Sequence, residues 1–145
     1  MPITPRCNCL TLRQATRRVT QLYDRALAPL DLRATQFSLL SRIADLGPIA
    51  LTQLAEAMIM DRATLGHNVR PLEARALVRL AVGKDRRSHE VSITAKGRHL
   101  IRDARVLWEQ AQQSFERELG QQEASALRAV LQRIAATEFA LSRSP

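Results

Sequence analysis

The stretch from Leu51 to Ile93 constrains the fold most, because the spacing of its apolar residues changes there from three-and-four to two. Leu51, Leu54, Ala55 and Met58 share one side of a helix of barely two turns. After the link Ile59-Met60-Asp61, the residues Leu65, Val69, Leu72 and Ala76 form the buried stripe of a second helix. Asp61 stands where a cap belongs, its carboxylate able to accept from the free amides of Ala63 or Thr64. Pro71 falls inside this pattern and removes the hydrogen bond to the carbonyl of His67, which predicts a bend. Alternation then takes over. Val78, Leu80 and Val82 face one way, GKDRRSHE interrupts, and Val91 and Ile93 resume, which reads as a hairpin with a long polar tip.

The flanking segments are helical. From Leu10 to about Ala28, apolar residues recur at Leu12, Ala15, Val19, Leu22, Tyr23 and Ala26 until Pro29 stops them. Phe37, Leu40, Ile43 and Ala44 mark a further helix that ends at Gly47-Pro48. Beyond the hairpin, Thr94 can cap a long helix running to about Leu119, with Leu100, Ala104, Leu107, Ala111 and Phe115 on its apolar side and Gly120 as its stop. A last helix is predicted from roughly Gln122 to Leu141, striped by Leu127, Val130, Leu131 and Ile134. Two short helices on a tight link, followed by a two-stranded hairpin, make a winged helix-turn-helix, so the fold expected is mainly α with a small β wing. Its winged region covers 33–94. Only 3% of the 145 residues are aromatic, so one domain with a core of Leu, Ala, Val and Ile is expected.

A helix-turn-helix with a wing asks whether the right side chains point outward. A formal charge of +8 favours a polyanionic partner, but Lys84 and Lys96 are the only lysines in an arginine-rich chain, so placement must decide. On the helix after Asp61, the face opposite the apolar stripe carries Arg62, Thr64, His67, Asn68 and Arg70. Arginine suits phosphates or guanine O6 and N7, asparagine pairs bidentately with adenine, and threonine meets a phosphate or a thymine methyl; Gly66 would let the helix approach closely. Taken alone, that face serves equally well as a solvated helix side. The hairpin tip adds Lys84, Asp85, Arg86 and Arg87, a basic wing shaped for a narrow, electronegative minor groove, with Asp85 orienting a neighbouring arginine. Which of Arg86 and Arg87 enters the groove stays open.

At these residues the chain resembles the MarR family of bacterial regulators. The resemblance covers nearly everything after Cys9 and is strongest over LTQLAEAMIMDRATLGHNVRPLEARALV and the wing DRRSHEVSITAKG, where D-x-R precedes Ile93-Thr94-Ala95-Lys96-Gly97, similar to the family's L-T-x-x-G. It implies a homodimer whose terminal helices, 10–28 and 95–141, intertwine and whose winged regions read a palindromic duplex operator, with repression released by a small aromatic or phenolic acid. The length of the helix after Thr94 agrees, since its stripe exceeds what one small winged domain can cover. Three positions depart from the family pattern: Gly66 where a hydroxyl is common, Ala76 where Gly usually closes the helix, and Ala50 where Thr or Ser often caps. The family's ligand crevice would be lined here by Leu12, Thr16, Phe37, Leu40, Met58 and Trp108, with Arg13 or Arg17 as carboxylate partner. The same residues at helical spacing also read as ordinary core.

Other chemistries are thin. Cys7 and Cys9 invite a peroxide-sensing reading, with Arg6, Arg13 and a helix start to favour a thiolate, but Tyr23 is the only tyrosine, and two ordinary thiols in an N-terminal arm fit as well. No metal or cofactor is expected: C-x-C supplies two ligands, while His67, His89 and His99 sit in segments with other roles. No phosphate loop, G-x-S-x-G or H-E-x-x-H occurs, and Glu90 beside His89 lies in the wing, so no enzyme is expected. No apolar run approaches the ~18 residues that span a bilayer, and MPITPRCNCL lacks a signal-peptide core, which predicts a cytoplasmic protein. The rivals to an operator-specific regulator are a winged-helix module that binds another protein and a non-specific chromatin-type protein.

Overall fold

The computed structural model describes residues 1–85 and 87–141. Among the described residues, the helices and strands of the first unit follow the order read from the sequence, with one addition. Helix α1 (Asn8–Leu27) passes through a 3-10 turn at Ala28–Leu30 into α2 (Ala34–Leu46). The two-residue strand β1 (Ile49–Ala50) leads directly into α3 (Leu51–Met58), and α4 (Arg62–Ala74) precedes the hairpin strands β2 (Val78–Val82) and β3 (His89–Ile93). Helix α5 (Ala95–Leu119) and helix α6 (Gln121–Ala135) follow. The contacts gather into two units, Met1–Ala111 and Gln112–Pro145, divided within α5.

β1 was not anticipated. It pairs antiparallel with β3, Ile49 opposite Val91, so the sheet has three strands in the order β1-β3-β2. A two-residue strand next to Gly47-Pro48 has no period to detect. Within the hairpin, Val78 lies opposite Ile93 and Leu80 opposite Val91, a register that puts Val78 and Val91 into the core and leaves Val82 exposed near the tip.

The core of the first unit is aliphatic: Leu27, Leu32, Leu39, Leu40, Ile43, Leu54, Leu65, Val69, Leu72 and Leu77 are buried with Val78, Val91 and Ala104. Burying a Leu, Ile or Val contributes roughly 1.5–3 kcal/mol each, so this cluster supplies the main force holding α4 and the wing on their scaffold. Leu51 and Met58 of α3, and Leu100, Ile101, Leu107 and Trp108 of α5, pack against it. Three helices are closed by non-glycine residues in the left-handed region: Asp31 (φ 50°), Ile59 (φ 53°) and Ala76 (φ 56°). Ala76 therefore lies past α4, exposed, instead of on its buried stripe.

The junction between wing and α5 explains the Ile93-to-Gly97 motif. Thr94 Oγ1 donates to the Ala76 carbonyl at 2.7 Å and accepts from the Gly97 amide at 3.0 Å, while the Thr94 amide donates to the Leu77 carbonyl at 3.1 Å. A Cβ on Gly97 would collide with that same carbonyl and stand 2.8 Å from Ile93 Cγ1. Glycine is what lets α5 start against the strand.

In the second unit, the end of α5 and α6 are tied by Arg128 to Glu116 at 3.2 Å, with Ala124 buried. Leu127, Val130 and Leu131 are about 40% exposed, at 38%, 40% and 41%. α6 ends at Ala135, six residues short of the predicted Leu141. Thr137 Oγ1 turns back to the Arg133 carbonyl at 2.6 Å, and Phe139 and Leu141 find no surface to bury against.

Candidate nucleic-acid interface

α4 starts as its sequence requires. Asp61 accepts from the Thr64 amide at 2.7 Å and from Thr64 Oγ1 at 2.9 Å. The Thr64 amide above all, then its hydroxyl, holds the Asp61 carboxyl below its ordinary value, because both bonds favour the charged form. Leu65, Val69 and Leu72 face the core, which turns Arg62, His67 and Arg70 outward, where all three are exposed. The helix continues through Pro71 to Ala74.

Two of the residues expected to read bases are engaged within the helix. Thr64 holds the cap, and Asn68 Nδ2 donates to the Thr64 carbonyl at 2.8 Å. That bond uses one of the two Nδ2 hydrogens and leaves the other, with Oδ1, for a base. No atom comes within 4 Å of a Cβ placed on Gly66, so its smallness answers no packing demand of its own fold.

The wing tip is a hydrogen-bonded turn. Gly83 donates to the Ser88 carbonyl at 2.8 Å, and the Ser88 amide and hydroxyl both donate to the Asp85 carbonyl at 2.8 Å. The Asp85 carboxylate accepts from the main-chain amide of Arg87 at 3.2 Å. Asp85 thus shapes the turn through the backbone. Lys84 and Arg87 are exposed, and Arg86 lies outside the described residues. A cleft of about 130 Å3 brings Arg62 of α4 together with Asp85, Arg87 and His89 of the wing, beside Leu51 and Thr52 at the start of α3. One edge of the molecule therefore carries guanidinium groups from both elements, which suits it to a phosphate backbone.

The candidate ligand residues divide. Phe37 and Trp108 stack with ring centroids 6.2 Å apart and 29° between planes, on a cavity of about 730 Å3 between α2 and α5. Arg98, Arg102 and Arg105 line it with Asp45. Leu40 is fully buried in the core, and Met58 packs on the core away from this cavity. Leu12, Arg13 and Thr16 are exposed on the outer half of α1, and Arg17 lines a separate cleft on α1 alone. The cavity's cations come from α5, where their spacing at 98, 102 and 105 along the Ile101 and Trp108 side was the available signal.

Both cysteines are free thiols. Cys7 Sγ accepts from the Leu10 amide at 3.4 Å and so caps α1, two residues earlier than the helix start expected from apolar spacing; Cys9 is exposed within the first turn. Among the described residues no group of three or more His, Cys, Asp or Glu is placed to hold a metal, and no helix is long and apolar enough to cross a membrane.

Comparison with known proteins points one way. The model of the MarR family matches residues 32–89. The HTH-type transcriptional repressor NicR of Pseudomonas putida is 34% identical over 91 residues, which are 62% of this chain and 58% of that protein. The M. tuberculosis transcriptional regulator MosR, solved in complex with DNA, is 34% identical with a TM-score of 0.81, over 89% of this chain and 93% of that one. BpsR of Bordetella bronchiseptica, whose DNA binding is regulated by 6-hydroxynicotinic acid, is 27% identical with a TM-score of 0.81, over 91% and 95% of the two chains.

Proposed function

Since this chain belongs to the MarR family of transcriptional regulators, we propose that it is a homodimeric cytoplasmic repressor that binds a palindromic operator and leaves it when a small aromatic acid binds. The observation that carries this reading is the shared edge where exposed Arg62 of α4 meets Arg87 of the wing, with His67 and Arg70 further along the same helix. In use, α4 enters a major groove through Arg62, Thr64, His67, Asn68 and Arg70, and the wing, through Lys84, Asp85, Arg86 and Arg87, follows the adjacent minor groove. Two-fold symmetry would put the second α4 one helical turn away, roughly 34 Å along the duplex. The apolar stripe of α6 and Leu12 of α1 each support a partner chain, because each leaves about 40% of its apolar surface open.

Release by a ligand is supported by the cavity between α2 and α5. An aromatic ring can lie on the Phe37 and Trp108 pair while its carboxylate meets Arg98, Arg102 or Arg105. BpsR, with its 6-hydroxynicotinic acid, lends the ligand class. The test uses the duplex upstream of the protein's own gene. Two protomers per duplex are expected, together with quenching of Trp108 and loss of the complex on titration with 6-hydroxynicotinate. One protomer per duplex, or quenching that leaves the complex intact, would contradict the dimer or the release respectively.

A second reading, response to thiol oxidation through Cys7 and Cys9, has one specific observation behind it. Cys7 caps α1 from an extended backbone, its Sγ accepting from the Leu10 amide, and Cys9 sits inside the first turn. A Cys7–Cys9 disulfide would have to unwind that turn. Peroxide should then release DNA from the native chain and leave Cys9→Ser bound.

A further inference from the structure

Arg75 lies outside the face assigned to DNA, and the motifs of α4 and the wing give it no role. It follows α4 directly, and its guanidinium reaches 44 residues back along the chain. Nη1 donates to the Asp31 carbonyl at 2.6 Å and Nη2 to the Leu30 carbonyl at 3.4 Å. Those oxygens close the 3-10 turn between α1 and α2, where Asp31 adopts φ 50° and no further helical amide follows to meet them. Asp24 of α1 secures the same corner by accepting from the Ala34 amide at 2.8 Å, at the start of α2. On the other side, Lys96 at the start of α5 donates from Nζ to the Arg75 carbonyl at 2.9 Å, one residue before the Ala76 carbonyl that receives Thr94.

The end of α4 is therefore held from two directions. The α1–α2 corner holds it through the Arg75 side chain, and the start of α5 holds it through main-chain carbonyls. The apolar contacts of Leu65, Val69 and Leu72 press α4 onto the core but are non-directional. A charged fork on fixed carbonyls supplies the missing direction. We infer that Arg75 is a positioning residue: it sets the angle between the reading helix α4 and helices α1 and α5, and thereby lets two protomers engage two half-sites together.

This rests on the dimer and operator reading above. Its signature differs from that of a phosphate contact. One half-site imposes no angle between α4 and the scaffold, because a loosened protomer can still dock. Two half-sites require both angles at once, and the gain from joint engagement disappears when the geometry is lost.

The experiment compares a duplex carrying the two inverted half-sites footprinted upstream of the gene with a duplex carrying one, by fluorescence anisotropy at several salt concentrations. Native protein that fails to prefer the two-site duplex would overturn the underlying reading, whatever Arg75 does. Given that preference, Arg75→Ala should weaken two-site binding about tenfold and one-site binding less than twofold, with the salt slope unchanged. Arg75→Lys, whose single amine can still reach the Asp31 carbonyl, should recover most of the loss. Equal losses on both duplexes with a shallower salt slope would mean a direct phosphate contact and overturn the inference, as would unchanged binding to both. If Arg75→Ala does not fold, Arg75→Gln, which keeps much of the bulk but loses the charged fork, is read against the same outcomes.

Discussion

Replacing Ala76 by glycine should make the protein more stable, although glycine ordinarily weakens structure. Ala76 adopts φ 56° just past α4 and is exposed, so its methyl group adds little burial. The bonds that close the helix there are main-chain only: the Ala76 amide donates to the Glu73 carbonyl at 2.8 Å and the Leu77 amide to the Leu72 carbonyl at 2.9 Å. A non-glycine residue in the left-handed region costs about 1–2 kcal/mol, which Ala76→Gly removes. Against this, the greater freedom of glycine in the unfolded chain costs about 0.4–1 kcal/mol. A net gain of about 0.5–1 kcal/mol remains, raising Tm by about 1–4 °C for a chain of this size. Urea melts of Ala76→Gly beside Ala57→Gly, an exposed position within α3, make the comparison. The second variant should lose about 0.5–1 kcal/mol. Should both lose stability alike, the assignment of left-handed strain to Ala76 is wrong.

Gly97→Ala is expected to cost about 1–3 kcal/mol or more in thermal melts, because its Cβ would strike the Leu77 carbonyl and crowd Ile93. Gly66→Ala should instead gain about 0.5–1 kcal/mol, since no atom stands near the new methyl group. Asp61 has its carboxyl held below the ordinary 3.8 by the Thr64 amide and hydroxyl, so its capping contribution is complete above that value and fades as pH falls through the lower folded one. In urea melts at pH 7 and at pH 3, Asp61→Asn should lose less stability on acidification than the native chain does.

Much of the winged region was legible because its elements are periodic and its boundaries chemical. Leu65, Val69 and Leu72 marked the inner face of α4, Asp61 its start, and Val78 and Val91 the inner face of the hairpin. What stayed hidden depends on residues far apart in the chain. β1 has two residues and forms only because Val91 and Glu90 are beside it. Arg75 gives no local sign that its partners are the carbonyls of Leu30 and Asp31. The α2–α5 cavity brings Phe37 and Trp108 together with arginines of α5, a grouping set by the packing of α2 on α5 that spacing along either helix does not reveal, while residues 11–18 of α1 stand exposed within the single chain. Leu40 shows why apolar spacing cannot tell a cavity wall from a core: the same pattern fits both, and burial decides for the core.

The central claim is that α4 and the wing read an operator together, and the dependence of binding on salt for a palindromic duplex and a scrambled one tests it most directly. If Arg62, Arg70 and Arg87 of each protomer neutralise phosphates, about six counterions leave, and log K should fall against log salt with a slope near −5. The palindrome should hold at least about a thousandfold tighter than the scrambled duplex at physiological salt. A flat salt dependence, or equal affinity for the two duplexes, would contradict the account.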